Sequence, residues 1–528
     1  MAERTPSAVD AGLPVLHVAG DLHDALTQEV LARLTTEDLT RFVSGRRWFA
    51  AKAGAPRAAR ISHVVPLAWD DGAFAIARLD VETASGARHC YQLPLAVRER
   101  AAPTEALAHV ETPTGDGVLF EAVEDAAFRR HVADAFARGA RFDAGSASWI
   151  IEPVGAKPLV VPLSAPIELG KAEQSNTSIR FADEGILKLF RRLEPGEHPD
   201  VEISRFLTLR ASFPNTPALF GVARFEDRDL RTGAASITVA AMLQEFLPKS
   251  MDGWSYVTKR AEAEGGRGAA SGTSDLSPSS FAREARRLGE VTRALHDALA
   301  SAGPDEPDFA PEPARPSDVA EWAAATEKQA RDAIALLKHA LQEERLPSEC
   351  VDDARSLVAR HESFLERVRA LAAAVRGDAG RRIRHHGDYH LGQVLRTAAG
   401  EFLIIDFEGE PSKPLAERRR KHSALRDVAG MLRSFAYAGA TIEVGERRAA
   451  GGEWERDARE AFLAGYLENA PSAARRPPPA FLPHDRRNIE RLLGLFEMEK
   501  RFYELGYELN NRPDWVWIPL RGIMGEGQ

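Results

Sequence analysis

His385–Leu395 reads HHGDYHLGQVL, and Phe402–Glu410 reads FLIIDFEGE. Each joins a polar cluster to a short apolar run of the kind that forms a strand, and the polar stretch between them suits an antiparallel hairpin. Such a hairpin presents Asp388, Gln393 and Asp406 at one site. Phosphoryl transfer needs this set: one carboxylate to orient a hydroxyl acceptor and receive its proton, and a second carboxylate with an amide oxygen to hold Mg²⁺ against nucleotide phosphates. Rival readings of the same residues are weaker. His385, His386 and His390 have no further ligand nearby at zinc spacing. Asp406, Glu408 and Glu410, read as alternate residues of one strand, share a face and do not oppose each other across a sugar, as glycosidase carboxylates must. A plain hairpin with solvated acids leaves the dense polar run before a buried strand without a purpose.

Upstream, Gly170–Arg192 reads GKAEQSNTSIRFADEGILKLFRR. The TSIRF and ILKLF runs flank an ADEG turn and predict a second hairpin. Lys188 interrupts the apolar run and projects opposite to Leu187 and Leu189. A nucleoside triphosphate needs a fixed cation, and Glu202, on the helix predicted in PDVEISRFLTLR, is placed to pair with Lys188. An edge-strand lysine facing solvent is the alternative. The chain has 58 Arg and 11 Lys, so a lysine here favours a point-charge role. The loop before it is EQSNTS, whose Gln174, Ser175, Asn176, Thr177 and Ser178 offer backbone and side-chain donors to phosphate; an ordinary hairpin tip is its plainer reading. MLQEFLP, Met242–Pro248, is a candidate hinge in which the backbone around Glu245 and Leu247 meets a nucleobase, or else an edge strand.

The chain is 528 residues long with a formal net charge of -9. That length allows two to four domains at about 150 residues each, and the negative balance gives no general attraction to nucleic acid or acidic membranes. Two cysteines, Cys90 and Cys350, exclude a disulfide framework and fit a reducing compartment. No signal peptide or apolar run of about 18 residues is present, so a cytoplasmic protein is expected. Short alternating segments from Ile61 to about Val123 predict an antiparallel sheet, and FRRHVADAFARG a helix after it. The expected divisions are 1–150, a strand-rich 151–250, and a helical 251–528 interrupted by a flexible Gly/Ser- and Pro-rich insertion at about 261–317. Two apolar stripes, Leu288, Val291, Leu295 and Leu299, then Leu357, Phe364, Val368, Leu371 and Val375, predict helices in the last part.

These segments together resemble the aminoglycoside-phosphotransferase-like kinases, and within them the bacterial maltokinases. EQSNTSI, ILKLFRR, HPDVEISRFL, QEFLP, HGDYHLGQVL, IIDFEGEP, ERRRKHSALRDVAGMLRSFAYA and EKRFYELGYELNNRPDWVWIPL, with the early RRWFAAK, occur in the order of that family. The resemblance covers nearly the whole chain, apart from about the first 40 residues and the 261–317 stretch. It implies an α+β, bilobal eukaryotic-like kinase fold with an N-terminal α/β cap subdomain and a helix-rich C-lobe. It further implies ATP and Mg²⁺ as cofactors, Asp388 as catalytic base, Gln393 and Asp406 as metal ligands, and Lys188 with Glu202 as the phosphate-side ion pair. Gln393 stands where protein kinases use Asn, and DFE where they have DFG; both resemble the maltokinase version. The acceptor would be maltose, phosphorylated to maltose 1-phosphate for α-glucan synthesis, with glucosamine as the alternative and a trehalose synthase as a possible partner. His390, Glu408, Glu410, Lys421, Arg426 and Trp515 are the candidate acceptor contacts, within a wall that includes Arg419, Asp427 and Trp517. A solvated helix face for the basic run and core packing for the tryptophans are the plainer readings.

Overall fold

The computed structural model describes residues 12–49, 54–99, 103–155, 159, 161–162, 164–170, 176–228, 231–265, 280–442, 448–468 and 481–525. The chain divides into two compact units, Met1–Leu209 with Pro217–Pro248, and Arg210–Thr216 with Lys249–Gln528.

In the first unit, β1 (Val15–His17) precedes two short helices, α1 (Gln28–Leu31) and α2 (Thr36–Ser44). The strands β2 (Pro56–Leu67), β3 (Ala73–Thr83), β4 (Arg88–Arg98), β5 (Ala106–Thr112) and β6 (Gly115–Glu121) follow. They make one sheet in the order β1-β5-β6-β4-β3-β2, antiparallel except for β1 on β5. After α3 (Ala126–Arg138) come β7 (Ala140–Ala144), β8 (Ala147–Pro153), β9 (Ile167–Leu169), β10 (Asn176–Phe181) and β11 (Gly185–Phe190). The short β12 (Arg192–Leu193) pairs back onto β4, and α4 (Pro199–Leu209), β13 (Leu219–Arg228) and β14 (Ala235–Glu245) complete the unit. The second sheet runs β7-β8-β13-β14-β11-β10-β9.

The segment AFAIARLDV reads as a near-continuous apolar run because β3 is buried on both faces. Ala75, Ala77 and Leu79 pack with Leu39 and Phe42 of α2, whereas Phe74 and Ile76 pack with Phe128, Trp149 and Phe181. Arg78, on the same strand, reaches across to Asp227 of β13 with two bonds of 2.7 Å. A bidentate pair of this kind fixes angle as well as distance, so it sets how the two sheets meet.

The second unit begins with β15 (Met251–Asp252), α5 (Gly253–Gly265) and α6 (Ser280–Leu299). Then follow β16 (Glu312–Pro313), α7 (Pro316–Gln342), α8 (Val351–Ala359), α9 (His361–Ala374) and β17 (Arg381–Arg382). The hairpin of β18 (Val394–Arg396) and β19 (Phe402–Ile404) comes next. The unit ends in α10 (Leu415–Arg418), α11 (Leu425–Ala440), α12 (Arg448–Leu467), α13 (Arg486–Asn511) and α14 (Trp517–Met524). No helix among the described residues is long and apolar enough to cross a membrane.

Three expectations are corrected. The 261–317 stretch is not a single insertion: α5 runs to Gly265, and α6 buries Phe281, Ala285, Leu288, Val291 and Leu295 at helical spacing. Residues 266–279 lie outside the described residues. The stripe from Leu357 to Val375 is split over two helices that break at Arg360. Asp406, Glu408 and Glu410 do not alternate along a strand, because β19 ends at Ile404 and the backbone turns.

Helices α6 and α12 approach through a reciprocal pair of glycines. A Cβ on Gly289 would lie 2.1 Å from the Phe462 carbonyl oxygen, and one on Gly465 would lie 2.0 Å from that of Arg286. Replacing an exposed helical Gly by Ala gains about 1 kcal/mol of propensity. Here the clash is with backbone and outweighs it, so Gly289→Ala is expected to destabilise by about 1–3 kcal/mol. A thermal melt with a lowered midpoint checks this, and a raised midpoint would show that the helices can separate freely.

Candidate active site

The HHGDYH loop is held from behind by a buried carboxylate. Asp427, at the start of α11, accepts the backbone N–H of His386 at 2.7 Å and of Gly387 at 2.9 Å, and the Nε2–H of His296 at 3.0 Å. Burial works against its charge, but the His296 bond and the fields of His385, His296 and His386 outweigh it and hold its pKa well below the usual carboxylate range. His386 donates from Nε2 to the Ile405 carbonyl at 2.9 Å, while its Nδ1 accepts the Asp388 N–H at 3.4 Å. One ring therefore ties the loop to the segment that carries Asp406. Further along, the buried Tyr389 hydroxyl meets Thr292 at 2.9 Å, and the Leu391 N–H donates to Ser434 Oγ at 3.1 Å. Gly387 and Gly409 both have positive φ, at 85° and 70°, and a Cβ on Gly387 would come 3.2 Å from the Gly409 Cα. The glycines of HGD and FEG are thus required by two left-handed turns lying against each other.

This scaffold presents Asp388 part-buried at the loop tip. Its Oδ1 accepts from Lys500 Nζ of α13 at 3.2 Å, and its Oδ2 lies 4.0 Å from His390 Nε2. Burial pushes the carboxyl up, but the charge of Lys500, followed by those of His390 and His386, brings its pKa below the ordinary value. Asp388 is therefore ionised near neutral pH and able to receive a proton. His390 is depressed, chiefly by burial; its Nδ1 accepts the Gly392 N–H at 3.0 Å and caps the turn at Leu391–Gln393.

Gln393 and Asp406 come together at the far side of the hairpin, with Gln393 Nε2 donating to Asp406 Oδ2 at 2.9 Å. Asp406 sits at φ 66°, a left-handed conformation that Asp tolerates better than most residues and that concentrates at functional positions. The donor set fits Mg²⁺. An amide oxygen and one carboxylate are hard oxygen ligands, and this ion ordinarily takes one or two protein carboxylates and leaves the rest of its shell to phosphates and water. No group of three or more His, Cys, Asp or Glu suited to a metal occurs among the described residues.

In the first unit, Lys188 lies on β11 opposite Ser178 of β10. Its ammonium meets Asp200 Oδ2 at 3.3 Å in the first turn of α4, with both side chains largely buried. Asp200 is a partner that the sequence reading did not single out; Glu202 lies two residues on in the same turn. Asn176, Thr177 and Ser178 open β10, whereas Gln174 and Ser175 lie outside the described residues. The Thr177 hydroxyl accepts from Arg191 Nε at 2.7 Å, and the fully buried Arg191 pairs with Glu121, which also meets Arg46. Glu245 ends β14, where its N–H donates to the Ala218 carbonyl, and Leu247 follows, half-buried.

The pocket around Asp388 is lined by Glu410, Lys413, Arg426, Glu499, Lys500 and Tyr503 and encloses about 530 Å³, part of it open to solvent. A second cleft of about 730 Å³ shares the Gly387, Glu410, Lys413, Arg426 and Glu499 wall and continues past Trp322 and His385. Of the proposed acceptor contacts, Glu410 and Arg426 line both. Glu408 contributes its carbonyl to Arg418. Lys421 lines the second cleft, and its ammonium also donates to the Pro307 and Ala310 carbonyls and to Glu312 at 2.6–2.7 Å, which pins the Pro-rich connector. Trp515 stacks on Tyr437 with Arg512 over its ring and is not part of the pocket wall. Eleven further residues of α13 after Lys500 carry the chain about 16 Å along the helix before it turns. Asp427 lines the pocket around Asp388 and is engaged by the loop backbone and His296.

Because Asp427 has a lowered folded-state pKa, its contribution is complete above the unfolded value of about 3.9 and is lost as pH falls through the lower folded value. Asp427→Asn is expected to reduce stability by about 1–3 kcal/mol at pH 7, since an amide cannot accept from all three donors. The variant should also show a shallower loss of stability between about pH 5 and 2 than the parent. Urea unfolding at several pH values measures both, and an unchanged midpoint at pH 7 would remove the anchoring role.

Residues 42–125 match the family model described as maltokinase N-terminal cap domain. A glucosamine kinase of Streptacidiphilus jiangxiensis is 27% identical over 360 residues, 66% of this chain and 70% of that protein. One from Mycolicibacterium smegmatis is 26% identical over 367 residues, 67% of this chain and 79% of the relative. Among solved structures, a glucosamine kinase in complex with glucosamine, ADP and inorganic phosphate superposes with a TM-score of 0.64 at 21% identity, over 94% of this chain and 98% of the other. A second crystal form of a glucosamine kinase gives 0.65 at 20% identity, over 94% and 99%. These structures share the α+β kinase fold with its N-terminal cap. With relatives that are kinases, the chain is a sugar kinase, a phosphotransferase to an alcohol group; it is similar to the aminoglycoside-phosphotransferase-like kinases, and its residues 42–125 match a maltokinase-type cap.

Proposed function

We propose that the protein transfers the γ-phosphoryl group of ATP to the anomeric hydroxyl of maltose, giving ADP and maltose 1-phosphate. The observation that carries the choice of a neutral sugar is the pairing of every carboxylate in the pocket wall. Asp388 is met by Lys500 at 3.2 Å, Glu410 by Lys413 at 3.4 Å and Glu499 by Arg426 at 2.7 Å. Asp427 is taken by three donors. An ammonium on the acceptor would have to break one of these pairs, whereas sugar hydroxyls can donate to and accept from groups that remain paired. The continuous second cleft gives room for a second ring, and the cap match to the maltokinase model agrees. A sugar 1-phosphate is an activated glycosyl donor, which suits α-glucan synthesis. Glucosamine is the second reading, favoured by the names of the relatives.

In this reaction Asp388 orients the hydroxyl and takes its proton as the new O–P bond forms and the β–γ bridging bond breaks. Lys188, held by Asp200, neutralises triphosphate charge, and Gln393 with Asp406 holds Mg²⁺, which supplies charge neutralisation on the phosphates. Asp388→Asn should keep the fold and lower kcat at least about a hundredfold; normal turnover would remove the base assignment. Asp406→Ala should abolish Mg²⁺-dependent ATP binding by calorimetry, with Gln393→Ala milder because a neutral ligand is lost. Offering maltose, glucose and glucosamine in parallel and following ADP release should give the highest kcat/KM for maltose, and a higher value for glucosamine would move the assignment to an amino-sugar kinase.

A further inference from the structure

Lys500 does not follow from any motif in the catalytic loop, yet its ammonium touches the reacting carboxylate. It projects from α13, a helix pinned on both sides of it by ion pairs. Glu497 meets Arg459 and Arg501, Glu499 meets Arg426, and Glu504 meets Arg433 at 2.8 and 3.0 Å. The Tyr503 ring lies 4.7 Å from the ammonium. Lys500 therefore has a fixed root and a short reach. It donates to Asp388 Oδ1 at 3.2 Å, while His390 Nε2 lies 4.0 Å from Oδ2. The other charged or titratable groups around Asp388 are His386 in its own loop, Asp427 of α11, Glu410 after β19, and Tyr503 and Glu504 of α13. Lys413 and Arg426, the further cations of the pocket wall, are engaged by Glu410 and Glu499.

We infer that Lys500 is a positioning residue and the acceptor filter: it holds Asp388 through Oδ1 so that Oδ2 faces the hydroxyl, and it repels acceptors that are positively charged near the reacting end. The inference rests on Asp388 being the base. A fixed opposite charge at this distance keeps a carboxylate ionised to lower pH, and like charges placed together select against the wrong ligand.

The test uses the full-length enzyme with Lys500→Met and Lys500→Arg, each checked by a thermal melt, and pH profiles of kcat/KM for maltose and glucosamine. In Lys500→Met the acid limb should move up by about 1–3 pH units. Its loss for maltose should fall mainly on kcat, and its glucosamine-to-maltose ratio of kcat/KM should rise about tenfold. Lys500→Arg should keep the acid limb and the ratio of the parent. If Lys500→Met does not fold, Lys500→Gln, which keeps a donor without the charge, reads the same quantities. An unmoved acid limb and an unchanged ratio in a folded neutral variant overturn the inference. If Asp388→Asn is inactive while these stay unmoved, the inference alone fails; if Asp388→Asn is active, the base assignment fails with it.

Discussion

The carboxylate of Asp427 accepts two consecutive backbone N–H groups from the loop and a histidine N–H from α6, all in the buried centre of the second unit. Loops ordinarily satisfy their polar backbone with water; this one turns two donors inward and needs an acceptor there. Because His386 in turn bonds the Ile405 carbonyl, the same anchor fixes the segment bearing Asp406. The proposed base, Asp388, and the segment of Asp406 are thereby referred to one point on α11. The Gly430 position repeats the logic one turn later, since a Cβ there would be 2.5 Å from the Tyr389 carbonyl oxygen, so the helix lies against the loop with no side chain between.

The parts that were legible in the sequence are local ones. The β10–β11 and β18–β19 hairpins follow from period-two runs and turn residues a few positions apart, and α4 from its apolar spacing. Asp388, Gln393 and Asp406 could be read because a single hairpin brings them into range. Lys500 could not, as it meets Asp388 across 112 residues, and no spacing rule connects them. Asp200 is a further partner of Lys188 that no motif singles out. It stands about 200° around the helix from Glu202, and the observed entry of α4 at Pro199 is what brings it to Lys188. Lys421 and Trp515 follow from the segments that carry them, and a segment does not show that Lys421 also braces the Pro-rich connector or that Trp515 stacks on Tyr437.

Helix α13 is an unusual element for a protein interior. Glu497, Arg501, Glu504 and Glu508 are all buried along it, and removing such ions from water is costly. The partners of Glu497 on α12 and of Glu504 and Glu508 on α11 offset that cost only in one register. A slip of one turn, about 5.4 Å, would leave several charges unpaired at once. The helix is therefore locked in translation, and an apolar seam would not lock it as firmly. Precision at Lys500 is a property of the whole helix and not of one side chain.

The scarcity of lysine has a chemical consequence. Of the 11 lysine amines in a chain with 58 guanidinium groups, Lys249, Lys259 and Lys338 are exposed, Lys328 is exposed but paired with Asp332, and Lys188, Lys413, Lys421 and Lys500 are half-buried and engaged by carboxylates. An amine reacts as a nucleophile only after losing its proton, and a carboxylate partner retains that proton. Acylating reagents will therefore divide the described lysines into a fast and a protected set. Within the protected set Lys188, Lys413 and Lys500 lie beside candidate site residues and Lys421 beside the Pro-rich connector, and few other amines compete for the label. Mass-spectrometric footprinting could follow the loosening of individual ion pairs during turnover without any engineered probe.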